Sequence, residues 1–273
     1  MSAVAEREQT WLTGSAQYFR SHGRLLYRVT KNDLSARHAG SHLGIGWIFL
    51  APLLVLAVYS VIYLEIFRVH VAGLSSIEYV IYIFCGLVPY LATAEAMSTG
   101  VTSVLSNKSV LNNTVFPIDL APVKAALSAQ AIMIAGLTVV VAGAIITGNL
   151  HWTILLLPLI WVLHLLWLIG VNWVLSLLNV IFRDLQNLLN AVLMIMLVAS
   201  PIAYTPDMVP SALKPLLAIN PFAYFVVAYQ QVIMLGIAPS MPHALLLILM
   251  PLLAFGFGSW FFYRAKRVIV DYV

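Results

Sequence analysis

The chain is poor in charge. Lys, Arg, Asp and Glu make up 9% of its 273 residues, against about 25% in a soluble domain. So little charge cannot keep a 62% apolar chain in water, and the mean hydropathy of +0.97 agrees. A single cysteine, Cys85, excludes an internal disulfide, and its apolar flanks make it a packing residue. The ten acidic residues are scattered. No Asp-x-Asp or Asp-x-x-Asp pair exists to hold a metal at a membrane face, as a glycosyl or phosphatidyl transferase would need. No Gly-Lys pair occurs, so there is no GxxxxGK[ST] phosphate loop. His38 and His42 are four apart but have no third ligand near in sequence. Alternation of barrel type is missing, and so is the short apolar core of a secretory signal. Of the marks of a secondary carrier, there is no convincing internal repeat and there are few buried charges to couple ions.

What is present is long apolar sequence. The fold class expected is an all-α integral membrane protein with six spans near 45–67, 79–99, 120–147, 152–181, 185–204 and 243–263. The organisation is a cytoplasmic tail with an interfacial amphipathic helix over 1–43, a transmembrane domain over 44–263, and a cytoplasmic tail over 264–273. Spans four and five form a tight hairpin at Arg183-Asp184. Twelve of the fourteen basic residues fall on one side of this topology, leaving Arg68 and Lys214 on the other. The positive-inside rule then puts both termini in the cytoplasm. The net charge of +4 reflects this bias and requires no nucleic-acid partner.

Residues 15–38 have the pattern of a helix lying on the membrane. Arg20, Arg24, Arg28 and Lys31 share one face, with Tyr18, Leu25, Leu26 and Val29 opposite. The pattern serves either as an orientation signal alone or also as a frame for a cytosolic partner. Residues 204–242 carry Pro206, Pro210, Pro215 and Pro221, then an apolar run too short to cross. They read as a re-entrant pair of short helices on the outer side, with Asn220-Pro221 as turn and helix start. The competing reading, an extra span, would carry Arg264, Lys266 and Arg267 outside, against the charge rule.

Span four places Asn172, Ser176 and Asn179 on one face, where helix–helix hydrogen bonding accounts for them. His164 reads as a packed histidine. Tyr59, Tyr63 and Phe67 recur every four residues along span one, and Tyr79, Tyr82 and Tyr90 lie on span two. Tyrosine faces stack on sugar C–H surfaces while their hydroxyls bond sugar hydroxyls. Tyr59, Tyr63, Tyr82 and Tyr90 are therefore candidate linings for a glycan channel. An interfacial aromatic belt is the alternative, though it fits Tyr59 poorly because that residue sits near mid-span. Between spans two and three, residues 100–118 form a polar break bounded by Pro117 and Pro122. It contains no nucleophile or metal cluster and reads either as a surface that another protein grips or as a solvated linker.

Several segments in order, SHLGIGWIFLAPLL at 41–54, GLVPY at 86–90, the 107–122 stretch ending FPIDLAP, FRDLQNLL at 182–189, SPIAYTPDMVP at 200–210 and LAINPFAYFV at 217–226, resemble the membrane subunit of polysaccharide-exporting ABC transporters. The resemblance covers nearly the whole chain. It implies a half-transporter that forms a homodimer and pairs with two copies of a cytosolic ABC ATPase in a bacterial inner membrane. This chain would bind no cofactor, with ATP and Mg on the partner ATPase, and its substrate would be a lipid-linked polysaccharide among membrane lipids. The 102–116 segment would be a coupling helix, with Lys108, Asn112, Asn113 and Phe116 as contacts. An exporter of a drug, lipid or other small amphiphile uses a similar scaffold and remains the nearest alternative.

Overall fold

The computed structural model describes residues 10–37, 40–69, 71, 73–106 and 117–269. Among them every regular element is helical. We label the main helices α1 (Thr10–Arg37), α2 (Trp47–Ser60), α3 (Ser76–Ser106), α4 (Leu120–Ile146), α5 (Leu157–Ile181), α6 (Leu185–Ala199), α7 (Lys214–Ile219), α8 (Pro221–Gln230) and α9 (Met241–Ile269). Five stretches among the described residues are long and apolar enough to cross a membrane: Gly44–Ile66, Ser76–Ser106, Leu120–Ile146, Trp152–Ile181 and Met241–Ala265. A sixth is reached if the bent pair Ser211–Ile219 and Pro221–Leu235, at 97° to each other, counts as one span.

The expected fifth span, 185–204, is shorter than its hydropathy. α6 stops at Ala199 after 15 residues, which is about 22 Å at the helical rise. The reason is local. A residue before proline is pushed out of the helical region, and Ser200, before Pro201, has ψ 144°. The hairpin before α6 is as tight as the sequence implied, with Leu185 N–H donating to the Phe182 carbonyl at 3.0 Å.

α3 begins earlier than expected because of a capping box. Ser75 N–H donates to Glu78 Oε2 at 2.7 Å, and Glu78 N–H reaches back to Ser75 Oγ at 3.4 Å. Asn149, in the turn after α4, donates to Glu78 Oε1 at 2.5 Å and ties that end to α3. α8 starts where proline supplies the first turn. Asn220 Oδ1 accepts from the N–H groups of Phe222 at 2.9 Å and Ala223 at 3.3 Å.

α3 is the hub, with 72% of its apolar window buried, against 11% for Gly44–Ile66 and 22% for Met241–Ala265. It packs against α2, α4, α5, α6 and α8. Asn172, Ser176 and Asn179 are all buried, as their shared face required. Asn172 Nδ2 crosses to the Ala96 carbonyl at 3.0 Å. That approach needs a glycine, since a Cβ on Gly100 would sit 2.4 Å from the Asn172 side chain.

Candidate functional site

Three regions position the residues that the sequence singled out. The first is an aromatic surface on the Gly44–Ile66 stretch. Tyr59 and Tyr63 stack with ring centroids 5.7 Å apart and planes 22° apart, and Phe67 meets Tyr63 edge-on at 5.6 Å. Val61–Ile66 winds as a π-helix, a form that concentrates at functional sites. Tyr59 and Tyr63 are half-buried and packed against the core.

The tyrosines of α3 sit differently. Tyr82 and Tyr90 are buried. The Tyr90 hydroxyl donates to the Leu193 carbonyl of α6, and its ring lies 5.7 Å from Phe222. Tyr79, stacked 6.4 Å from Tyr82, donates to the Ala203 carbonyl at 2.5 Å. Tyr90 therefore fastens α3 to its neighbours, Tyr82 is packed inside, and neither offers an open ring face. Spacing along α3 put them beside Tyr79 on the helix but carried no information about what stands opposite.

The second region frames the polar break. α3 runs on as helix to Ser106, so the start of the 102–116 segment is a continuation of that helix. Lys108, Asn112, Asn113 and Phe116 lie outside the described residues. On the far side the chain re-enters through Pro117, whose carbonyl accepts from Leu120 N–H at 3.0 Å. Trp173 Nε1 of α5 donates to the Asp119 carbonyl at 3.0 Å. Both ends of the break are thus continuous with packed helices.

The third region is the amino-terminal helix. α1 spans the basic residues, and Arg24, Arg28 and Lys31 are exposed; Arg20 lies on the same helix. Its apolar side is divided, with Leu26 buried against protein and Leu25 and Tyr27 exposed. Asp33 anchors it to the first turns of α4. Lys124 Nζ stands 3.1 Å from Asp33 Oδ1, and Ser128 Oγ donates to Asp33 Oδ2 at 3.1 Å.

Between these regions lies a buried polar core. His164 Nε2 is 2.8 Å from Thr93 Oγ1, and its Nδ1 is 3.4 Å from the Tyr229 hydroxyl. Gln230 Nε2 donates to the carbonyls of Ile202 at 2.9 Å and Pro201 at 3.2 Å. The sequence flagged His164 but not Tyr229 or Gln230, because an apolar run with a polar end looks like any half-buried helix.

The ABC-2 type transporter family model matches residues 24–234, a stretch that takes in α1 from Arg24, the aromatic surface, the polar break and the bent pair up to its last residue but one. Two proteins from Klebsiella pneumoniae, each described as an O-antigen export system permease protein RfbA, are 27% and 26% identical over 215 and 216 residues. In both cases that is 78% of this chain and 81% of the relative. A Myxococcus xanthus protein of the same description is 25% identical over 211 residues, 76% of this chain and 79% of its own. With the family match covering well over half of a multi-pass helical chain, this protein belongs to the ABC-2 type transporter family.

Proposed function

We propose that this chain is the transmembrane half of an ABC exporter that moves a lipid-linked polysaccharide, of O-antigen kind, across a bacterial inner membrane. Two copies enclose the path, and two copies of a cytosolic ABC ATPase drive it. The observation that carries the reading is the common description of the three relatives as O-antigen export permeases, each aligned over more than three quarters of this chain. These 273 residues hold no phosphate loop, and the reading assigns the ATP site to the ATPase.

The physical roles follow from the layout. Both termini and the 107–116 break face the cytoplasm, where Lys108, Asn112, Asn113 and Phe116 contact the ATPase. Because α3 and α4 run into that break, a rigid-body push on it acts directly on two helices of the core. α1 lies at the membrane surface with Arg20, Arg24, Arg28 and Lys31 toward lipid headgroups, and Asp33 holds it to α4. The rings of Tyr59 and Tyr63 supply weak, repeated contacts along which a glycan slides.

The test is reconstitution. The chain is co-purified with a Walker-motif ATPase, placed in proteoliposomes, and supplied with a lipid-linked glycan and ATP. ATP-dependent delivery of the glycan supports the reading. Transport of a drug or small lipid in its place moves the substrate to the small-amphiphile class. Failure to form any complex with an ATPase overturns the exporter reading itself.

A further inference from the structure

The two arms of the bent pair are held in very different ways. The second arm, Pro221–Leu235, is built into the core. Besides the Gln230 bonds, the Val232 carbonyl accepts from Thr153 Oγ1 at 2.7 Å, and Tyr229 faces His164. The first arm, Ser211–Ile219, buries no side chain, and Leu213, Leu216 and Ile219 are exposed. Among the described residues one side-chain hydrogen bond reaches it: the Tyr224 hydroxyl donates to the Ala218 carbonyl at 2.8 Å.

Tyr224 is itself held from behind. His243, in the first turn of α9, lies with Nε2 2.9 Å from the Tyr224 carbonyl and its ring edge-on to the tyrosine at 5.6 Å. A carbonyl only accepts, so Nε2 carries the proton. The break between the arms is equally defined. Asn220 leaves the helical region at ψ 105°, caps α8, and donates from Nδ2 to Ser200 Oγ at 3.0 Å. Its N–H also closes the last turn of the first arm, donating to the Leu216 and Leu217 carbonyls at 3.2 Å, so the two arms share this residue and turn about it.

We infer that Tyr224 is a latch. Its bond to Ala218 holds the first arm bent back on the second, and its release lets that arm swing about Asn220 while the second arm stays with the core. Segments with few buried contacts and few bonds open first, and hinges are a few residues at element ends. The inference rests on the proposed exporter reading, in which the bent pair lies at the outer end of the path. There the first arm is the element that obstructs or clears the exit.

The test uses the full chain with its ATPase partner in lipid nanodiscs. Cys85→Ser clears the background, and a nitroxide is attached at Leu216→Cys on the first arm or at Val227→Cys on the second. Losing one hydrogen bond corresponds to a population change of about fivefold. Tyr224→Phe should raise the mobile fraction at 216 by about that factor and leave 227 unchanged. His243→Leu should loosen 216 as well, whereas His243→Gln, which keeps an N–H donor, should not. An unaltered signal at 216 in both Tyr224→Phe and His243→Leu overturns the latch, as does equal loosening at 227. Glycan export is followed in the same particles. Looser 216 labels in a complex that exports no glycan leave the latch standing and sink the exporter reading. Export with unmoved labels sinks the latch alone.

Discussion

His164 joins α5 to α3 through a hydrogen bond of 2.8 Å between its Nε2 and Thr93 Oγ1. The direction of that bond is fixed by its neighbours. Thr93 has one hydroxyl proton and gives it to the Pro89 carbonyl at 2.7 Å. It therefore accepts from His164 Nε2–H, which leaves Nδ1 bare to accept from the Tyr229 hydroxyl at 3.4 Å. The ring also stacks on Phe225 at 4.2 Å and 18°. A neutral histidine satisfies every group in the chain of contacts, which is the behaviour of a packing residue.

His164→Phe tests this directly. The ring stack survives, but Tyr229 loses its acceptor in a buried setting. The expected cost is about 1 kcal/mol, within the range for polar contacts between membrane helices. Adding Tyr229→Phe should recover most of it, because removing both partners leaves nothing unsatisfied. Thermal unfolding of the single and double variants in detergent measures the difference.

α5 and α9 meet through glycine. A Cβ on Gly258 would fall 2.2 Å from the Gly170 carbonyl oxygen, and one on Gly170 would fall 2.3 Å from the Ala254 carbonyl oxygen. Backbone cannot yield as a flexible side chain does, so Gly258→Ala must push the helices apart. A loss of about 1–3 kcal/mol is expected. Gly256→Ala, two residues away on the same helix, meets nothing within 4 Å. It should be neutral or stabilise by up to about 1 kcal/mol through helix propensity. The contrast in yield and melting temperature between the two alanines is the measurement.

Asp33 and Lys124 predict a third result. Their side chains are 21% and 12% exposed, so the pair is less screened than a surface salt bridge. Asp33→Asn should cost about 1 kcal/mol and raise amide hydrogen exchange in residues 23–36 more than elsewhere. The exchange Asp33→Lys with Lys124→Asp should restore much of the protection. Protection that is unchanged in Asp33→Asn would mean that the pair does not seat α1.

The limits of reading this chain from its sequence follow from what hydropathy measures. Leu120–Ile146 and Trp152–Ile181 match the expected 120–147 and 152–181 because their apolar runs end where turns begin. The fifth span was overextended because Ile202, Ala203 and Tyr204 prolong the apolar run, while Ser200-Pro201 breaks the backbone. Solvent preference and backbone geometry are separate properties. The early start of α3 is legible in the sequence, since Ser75 and Glu78 stand at capping-box spacing. The environment of each tyrosine was not legible. Periodicity sets Tyr82 and Tyr90 on a helix, but the groups that meet Tyr90, Leu193 and Phe222 among them, come from more than a hundred positions away. Tyr224 was hidden for the same reason, as Ala218 meets it across the 97° bend and His243 comes from the start of α9.

The division among the tyrosines yields the last prediction. Tyr59 and Tyr63 are half-buried and, in the proposed exporter reading, bear on the substrate, while Tyr82 and Tyr90 are buried. The two pairs should therefore fail differently. Tyr59→Ala with Tyr63→Ala removes two ring faces, each worth about 0.5–1.5 kcal/mol in aromatic contact, so glycan export should fall about tenfold or more. Assembly with the ATPase should persist, because the rings lie at the margin of the core. Tyr59→Phe with Tyr63→Phe keeps the faces and should retain most of the export, with any loss reporting the hydroxyls. Tyr90→Phe strips the bond to Leu193 and should lower thermal stability before it alters export per assembled complex. Export is scored as ATP-dependent delivery of lipid-linked glycan into proteoliposomes, normalised to complex recovered. If the double alanine exports at the full rate, the stacked pair is not on the glycan's path. It would then be a patch of aromatic surface facing lipid or the second copy.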